Sequence, residues 1–343
     1  MSGVRSLLRS ESARVLLGVL LVASGSVVAH ARVADRVRAT PTPTVTVQSV
    51  QAELTAALRQ RALTGSPAPS FQEVSSAPLT AMGPSPLNTR CWPTRAEWTV
   101  PLCAYGDLTS KTTVLLTGDS EAFMWAPAFA AAASSLGIRV VMMIKALCPA
   151  EAEPAYYWDD WTPYPECAKF HAVVDQWVKV HRPTLVFATG RSPLIVVGGS
   201  EQRADASRTA SGFLRMQQDF HSPTSKVYLL PLTVASPAGD YPYTPPNCVL
   251  GNLNAVYRCA VPRTSGAFET VLDQGIEIAV AHRTVATIAV DRLLCTAKAC
   301  PAVSGHYLLY TDGDHVSRKW MWHIAPALKQ LLRPILARAG VKT

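Results

Sequence analysis

A short apolar run that ends in Gly-Asp-Ser constrains the fold of this chain more than any other stretch. Residues Val114 to Thr117 predict a buried β-strand, and Gly118-Asp119-Ser120 follows directly before an apolar helical run. At such a strand–turn–helix unit the serine hydroxyl projects from the carboxyl edge of the sheet, and the helix N-terminus offers N–H groups to a developing oxyanion. Ser120 is therefore a candidate nucleophile, although Gly-Asp-Ser is also ordinary turn and capping chemistry.

The segments after this turn continue the alternation of helix and strand. Residues 123–136 are rich in alanine and end at Gly137, which suits a helix C-cap, and 138–144 is an apolar run typical of a strand buried on both faces. A further helix is predicted over 167–181 and a further strand over 184–188. This order implies right-handed crossovers and an open α/β sheet, in which sites lie at the carboxyl ends of the strands.

A second motif, Tyr310-Thr-Asp312-Gly-Asp-His315, lies almost two hundred residues further along the chain. A serine hydroxyl becomes a useful nucleophile when a histidine takes its proton, and the histidine needs an acid that holds its tautomer and stabilises its charged form. Asp312 and His315, three residues apart on one predicted turn, supply both groups. The alternative is a solvated turn with a capping aspartate.

Together the two motifs resemble the SGNH (GDSL-like) hydrolase superfamily, which has the serine near the start of the domain and an Asp-x-x-His pair near its end. Within it, the chain resembles most the extracytoplasmic SGNH domain associated with membrane acyltransferase-three proteins, which acylate cell-surface glycans. The similarity spans about residues 45–337 and is carried, besides the Gly-Asp-Ser strand, by Cys103-Ala-Tyr-Gly-Asp107, Leu147-Cys148-Pro149, Cys295 to Cys300 and Leu309 to Ser317. The resemblance implies a three-layer α/β/α SGNH-hydrolase (flavodoxin-like) fold with a central mostly parallel sheet. It also implies acyl transfer to glycan through Ser120, His315 and Asp312.

Two positions near the predicted site depart from the family pattern. Glu121 follows the nucleophile where the family usually has histidine or asparagine, and a carboxylate there could raise the pKa of the base or repel an anionic substrate. The asparagine that commonly supplies an oxyanion donor after the third strand is missing. Gly190, Arg191 or Ser192 could replace it, and Arg191 resembles an arginine of the membrane-acyltransferase-linked group; the alternative is a helix start capped by Ser192.

Residues 149–166 form a predicted loop that is dense in aromatic and acidic residues. Proteins often hold sugar rings by stacking and by hydrogen bonds to hydroxyls, although aromatic residues more often cover a core. Trp158 and Trp161 are the candidates for sugar contact, and Glu121 completes the predicted substrate-binding set.

Eight cysteines, an even number, argue for disulfides in an oxidising compartment when they occur in a chain with an export signal. The sequence leaves their connectivity open, and the simplest hypothesis pairs neighbours as Cys91–Cys103, Cys148–Cys167, Cys248–Cys259 and Cys295–Cys300.

A metal site is not predicted, because the sequence has no C-x-x-C pair and no H-E-x-x-H helix. No cofactor is predicted either.

Residues 1–31 have the pattern of a secretory signal peptide, in which three arginines precede an apolar run over 15–29 and Ala29-His-Ala31 offers a cleavage site. The run is short for a membrane span, which needs ~20 residues, and an uncleaved N-terminal anchor is the alternative. Residues 32–90 are predicted to hold a linker and an amphipathic helix, over 47–63, that packs on the core. Residues 91–343 are the predicted SGNH-like catalytic domain.

Composition and charge narrow the function classes. With 343 residues, 48% of them hydrophobic and 16% charged, the chain can bury one substantial core. Its formal net charge of +8 favours anionic surroundings such as a cell-wall polymer or lipid head groups. Basic runs interleaved with aromatic residues are missing from the sequence, which argues against nucleic-acid binding.

The sequence therefore favours an exported serine esterase or O-acyltransferase, secreted, periplasmic or associated with the cell wall, that acts on acyl esters of cell-surface glycans. The acyltransferase reading requires a separate membrane acyltransferase partner that delivers the acyl group. One alternative is a catalytically silent glycan-binding or scaffold module of the same fold, motivated by Glu121 and the missing asparagine. A lipase-like esterase that acts on lipids is the other.

Overall fold

The apolar run before Ser120 forms a completely buried inner strand of a six-stranded sheet in the computed structural model of the chain. The structure describes residues 44–76, 81–83, 91–100, 102–157, 160–191, 194–197, 199–220, 226–231, 244–263 and 267–342. The predicted signal peptide at 1–31 lies outside these residues, as do Trp158 and Ser192.

Twelve strands occur in the described residues, and most are short. In chain order they are β1 (Cys103–Gly106), β2 (Thr113–Gly118), β3 (Arg139–Ile144), β4 (Leu185–Thr189), β5 (Leu194–Val197), β6 (Ser200–Arg203), β7 (Lys226–Leu229), β8 (Val261–Pro262), β9 (Val285–Thr287), β10 (Ala299–Cys300), β11 (Val303–Ser304) and β12 (Tyr307–Leu308). The large sheet has the order β1-β3-β2-β4-β7-β9, and all its pairs are parallel except β1 with β3. This confirms the predicted α/β class with a central mostly parallel sheet.

The α-helices of the described residues are α1 (Val47–Ala57), α2 (Phe71–Ser76), α3 (Ser120–Leu136), α4 (Pro165–His181), α5 (Ala206–Asp219), α6 (Pro245–Gly251), α7 (Ala267–Ala281) and α8 (Arg318–Arg338). Side chains of β2 alternate between two cores. Val114 and Leu116 pack with α1, α3 and α8, whereas Leu115 packs with α4, α5 and α7. The sheet is thus the middle of three layers.

The turn after β2 depends on one glycine. Gly118 has a φ of 140°, and a Cβ atom added to it would lie 1.9 Å from the carbonyl oxygen of Thr189. Only glycine allows β2 and β4 to approach this closely while the chain turns into α3. Asp119 then caps the helix, and Gly137 ends it in the left-handed conformation that the sequence predicts for a C-cap.

The predicted amphipathic helix over 47–63 is shorter in the structure. It ends at Ala57, and the side chain of Gln60 then exchanges hydrogen bonds with both backbone groups of Gly305. The chain leaves the helix because it is tied here to the turn between β11 and β12. The helix buries Val50 and Leu54 completely against the core that contains α8.

The structure contains four disulfides, and they are the four neighbouring pairs that the sequence suggests. The Cα atoms of each pair lie between 4.1 and 5.8 Å apart. No helix within the described residues combines the length and the hydropathy that crossing a bilayer requires.

Candidate active site

Ser120 is the first residue of α3 and lies at the carboxyl end of β2. The N-cap residue Asp119 is buried, and its carboxylate accepts two backbone hydrogen bonds. Oδ1 accepts from the N–H of Glu121 at 2.9 Å, and Oδ2 accepts from the N–H of Arg191, after β4, at 2.9 Å. Asp119 therefore fixes the turn that presents Ser120. Through the N–H of Arg191 it also joins this turn to the loop after β4.

Asp312 holds His315 through both its backbone and its ring. Asp312 Oδ2 lies 2.8 Å from Nδ1 of His315, and Oδ1 accepts from the backbone N–H of His315 at 2.8 Å. The N–H of Thr311 donates to the carbonyl oxygen of His315 at 2.8 Å and closes the turn. The other ring nitrogen, Nε2, is buried and has no hydrogen-bond partner among the described residues, Ser120 included. The nitrogen that would act as a base is thus unoccupied.

Two direct contacts bring the two motifs together. The N–H of Val316 lies 3.3 Å from the sulfur of Met124, in the second turn of α3. Arg191 donates to Asp314 Oδ2 through Nη1 at 2.6 Å, while its backbone N–H is bound to Asp119. The nucleophile turn, the loop after β4 and the histidine turn therefore meet at one end of the sheet.

Glu121 lies inside this cluster. Its side chain is 0% exposed, and neither carboxylate oxygen has a hydrogen-bond partner among the described residues. Potential ligand atoms of Glu121, Asp314 and His315 lie within 4.8 Å of one another. The residue predicted to contact substrate is instead packed beside the histidine, because the second residue of α3 faces the core.

The carboxylates control the charge of the histidine. Burial by itself would lower the pKa of His315, but Asp314, Asp312 and Glu121 outweigh burial and raise this pKa to about 10. Burial raises the pKa of Glu121 well above its usual value. Asp312 also loses solvation, but its hydrogen bond to His315 lowers its pKa overall. At neutral pH the imidazole is therefore held in its charged form.

The predicted oxyanion residues occupy different surroundings. Gly190 packs against Pro149, and a Cβ atom added to it would lie 2.4 Å from the Cβ of Pro149. Arg191 uses its backbone N–H and its guanidinium to bind Asp119 and Asp314. Arg191 thus holds the loop in position, and the oxyanion role of Gly190 stays a prediction.

Two tyrosines among the described residues of the aromatic loop before α4 contribute to packing. Tyr157 and Tyr164 are buried with ring centroids 4.1 Å apart, and the guanidinium of Arg95 lies 3.1 Å from the centre of the Tyr157 ring. Trp161 is partly exposed and has a φ of 53°. Sugar contact by Trp161 stays a prediction.

Two clusters among the described residues bring three potential metal ligands within reach of one another. In the first, Cys148 and Cys167 form a disulfide beside His171. In the second, made of Glu121, Asp314 and His315, Arg191 already occupies an oxygen of Asp314. Neither cluster presents a free ligand set.

Sequence reasoning missed Asp119, Asp314 and the bridging role of Arg191. The final motif contains two aspartates, and His315 Nδ1 lies 2.8 Å from Asp312 and 3.1 Å from Asp314. An aspartate between the strand-ending glycine and the serine was a signal for a buried cap, whereas nothing local indicated that Arg191 would join the two motifs.

A family model and one solved structure agree with this architecture. The model of a family described as SGNH domain (fused to AT3 domains) matches residues 90–330. A solved structure of the Salmonella ser. Paratyphi A lipopolysaccharide acetyltransferase periplasmic domain is 13% identical, with 67% of this chain and 85% of that chain covered and a TM-score of 0.50. A putative acylhydrolase from Bacteroides fragilis is 11% identical, with coverages of 71% and 92% and a TM-score of 0.37. A search of curated proteins finds no match.

Proposed function

The chain belongs to the family of SGNH domains that occur fused to AT3 domains, and from this we propose that it is an exported serine esterase or O-acyltransferase acting on acyl esters of cell-surface or cell-wall glycans. Membership supports acyl transfer or acyl hydrolysis as the reaction class. The observation that carries the proposal is the Asp312–His315 pair at 2.8 Å, held against α3 with its Nε2 unoccupied.

The proposed chemistry begins with attack of Ser120 Oγ on an acyl carbonyl carbon. His315 Nε2 takes the hydroxyl proton, and Asp312 holds the ring and stabilises its positive charge. The N–H groups of Ser120 and Gly190 stabilise the oxyanion, and each such donor lowers the barrier by ~3 to 4 kcal/mol. His315 returns its proton to the leaving oxygen, which leaves an ester on Ser120.

The second half of the reaction depends on the acceptor. Water releases a carboxylic acid and completes hydrolysis, whereas a sugar hydroxyl takes the acyl group and completes transfer. Because family members are fused to AT3 domains, we propose a membrane acyltransferase as the partner that supplies the acyl group.

A serine-directed fluorophosphonate probe and an acetyl ester of p-nitrophenol test the proposal. Wild type is expected to be labelled and to release p-nitrophenol, and Ser120→Ala is expected to lose both activities. Ser134→Ala, which removes an exposed hydroxyl from the same helix, is the matched control and should behave as wild type.

The alternative is a catalytically silent glycan-binding module. It is favoured by the unmade contact between Ser120 and His315 Nε2 and by the acids that keep His315 charged. An inert wild type that still binds cell-wall polymer would establish this alternative. A preference for long acyl chains in a panel of esters would instead indicate a lipase-like enzyme.

A further inference from the structure

Helices α3 and α8 form a surface whose exposed charges are all positive. Helix α8 has five cationic side chains and no acidic one, and it packs along α3, whose only charged residue is the buried Glu121. The cations of α8 are Arg318, Lys319, Lys329, Arg333 and Arg338. In the opposite layer, α4 carries both acids and cations, at Glu166, Lys169, Asp175 and Lys179. The face formed by α3 and α8, here called the basic face, therefore exposes positive charges and no negative ones.

A groove of about 540 Å³ runs along the basic face. Trp322, Lys329 and Arg333 line it, and Thr44, the first described residue, lies at its edge. The indole of Trp322 is 39% exposed, and the charged groups of Arg318 and Lys319 lie 5.1 and 5.6 Å from the ring. The groove thus combines an exposed aromatic ring with several cations.

The acids nearest the basic face are already engaged. Oε2 of Glu53 on α1 lies 2.7 Å from Nε2 of His323, and the carboxylate of Glu73 on α2 accepts from the N–H of Ser70 at 2.7 Å. Neither lines the groove. Glu73 lies close enough to Arg318 and Lys319 to offset part of their charge, so Lys329 and Arg333 carry most of the uncompensated potential.

An anionic bilayer surface fits these features. Tryptophan favours the boundary between water and lipid, and long cationic side chains lay their apolar stems on a surface while their heads reach phosphate groups. The chain also enters the folded part at this face: residues 30–43 separate Thr44 from the apolar run over 15–29, and 14 extended residues span at most ~50 Å.

From these observations we infer that the basic face docks on a membrane surface that carries anionic phospholipid headgroups. Helix α3 begins with Ser120, and α8 begins three residues after His315. A molecule docked along these two helices holds its candidate active site beside the bilayer. The inference stands on charge and exposure, and it does not require Ser120 to be catalytic.

Sedimentation of the full chain with vesicles tests the inference. Phosphatidylcholine vesicles with and without phosphatidylglycerol serve as probes, at low and at high salt. Wild type is expected to bind the anionic vesicles more tightly, and salt is expected to weaken this binding. The double variant Lys329→Glu with Arg333→Glu should lose about thirtyfold or more in affinity for anionic vesicles, since each cation near such a surface contributes about fivefold.

The matched control reverses two charges on the other layer, Lys169→Glu with Lys179→Glu, and has the same net charge as the first double variant. It should bind as wild type does, and circular dichroism melting should show that both variants fold. Equal binding of wild type to neutral and anionic vesicles would overturn the inference, as would equal losses in the two double variants. Displacement of the protein from vesicles by inorganic phosphate would identify a phosphate site in place of a docking face and would overturn it too.

Discussion

Asp312, Asp314 and Glu121 all lie close to the imidazole of His315, but only Asp312 and Asp314 lie within ion-pair distance of a ring nitrogen. Asp312 and Asp314 face Nδ1, whereas Glu121 has no hydrogen-bond partner among the described residues. A buried carboxylate without partners destabilises the folded state by several kcal/mol when it is charged. The position that departs from the family pattern therefore adds to the positive shift in the pKa of the predicted base, after the larger contributions of Asp314 and Asp312.

Glu121→Gln is expected to shift the pH dependence of ester hydrolysis. His315 accepts a proton only in its neutral form, and its pKa of about 10 makes the neutral fraction rise as the pH rises through the alkaline range. Removing this anion lowers the pKa of His315 by about one unit, the low end of the range for a nearby charge, because Asp314 and Asp312 contribute more. The rise in rate with pH therefore moves to lower pH. The rate of p-nitrophenyl acetate cleavage against pH measures the shift.

Glu151→Gln is the control for this prediction. Glu151 is also completely buried with both oxygens unpartnered among the described residues, but it does not contribute to the pKa of His315. The Glu151→Gln variant should show the same dependence of rate on pH as the wild type. If the rise in rate of Glu121→Gln occurs at the same pH as in the wild type, or at a higher pH, Glu121 does not raise the pKa of His315.

Arg191→Ala is expected to lower kcat far more than it changes KM. The side chain joins Asp314 to the loop whose backbone holds Asp119, so its loss lets the serine turn and the histidine turn of the candidate site separate. Small misplacements of reacting groups cost on the order of 100-fold in rate. Steady-state kinetics measure the effect, and Arg263→Ala, which breaks the comparable Arg263–Asp291 pair at 3.0 Å, should leave kcat near wild type. Similar losses in both variants would refute a positioning role.

At the scale of elements, the loop after β3 supports the loop after β4. Pro149 packs against Gly190, its carbonyl oxygen lies 2.8 Å from Nε2 of His171, and the preceding residue, Cys148, is bonded to Cys167 on α4. A disulfide and a hydrogen bond therefore fix the surface on which the candidate oxyanion residue rests.

Replacing Cys148 and Cys167 by serine is expected to reduce both stability and esterase activity. The free energy of unfolding should fall by about 3 kcal/mol, the value for closing a loop of comparable length, and kcat should fall because Gly190 loses its support. Chemical denaturation and ester hydrolysis measure the two effects. The same change at Cys248 and Cys259 should reduce stability and leave kcat unchanged. An unchanged kcat in the variant at Cys148 and Cys167 would show that this loop does not affect catalysis.

At the scale of the molecule, α1 completes the core although it precedes the predicted catalytic domain. Leu54 is fully buried, and the N–H of Val47 donates to Gln330 on α8 at 3.0 Å. The amphipathic pattern predicted that this helix packs on the core, and its burial makes it part of the folded unit that carries the site.

Leu54→Ala is expected to lower the free energy of unfolding by about 2–5 kcal/mol, because the truncation leaves a cavity between α1 and the core. Leu102→Ala, at a side chain that is 57% exposed, should change it by less than about 0.5 kcal/mol. Urea denaturation measures both. A loss at Leu54 no larger than at Leu102 would mean that α1 is dispensable for folding.

Much of the fold followed from local patterns. The run before Gly118 fixed a buried strand, alanine content and Gly137 fixed the helix after it, and the predicted disulfide neighbours are the pairs formed. The strand and the helix depend on residues within a few positions of one another, and the disulfides join neighbouring cysteines 5 to 19 residues apart, so local sequence was enough to suggest them. The end of α1 could not be predicted this way, because Gly305, about 250 residues away, ends it through Gln60.

The amino-acid sequence by itself determined which residues could do chemistry: a serine on a strand-to-helix turn, and an aspartate and a histidine on a later turn. Tertiary structure decided that these turns share one end of the sheet, that Arg191 joins them, that Asp312 rather than Asp314 makes the shorter bond to His315, and that Glu121 is buried beside it. The physical reason is that hydrogen bonds and burial between distant segments depend on how helices pack across a sheet, and no spacing along the chain encodes that distance.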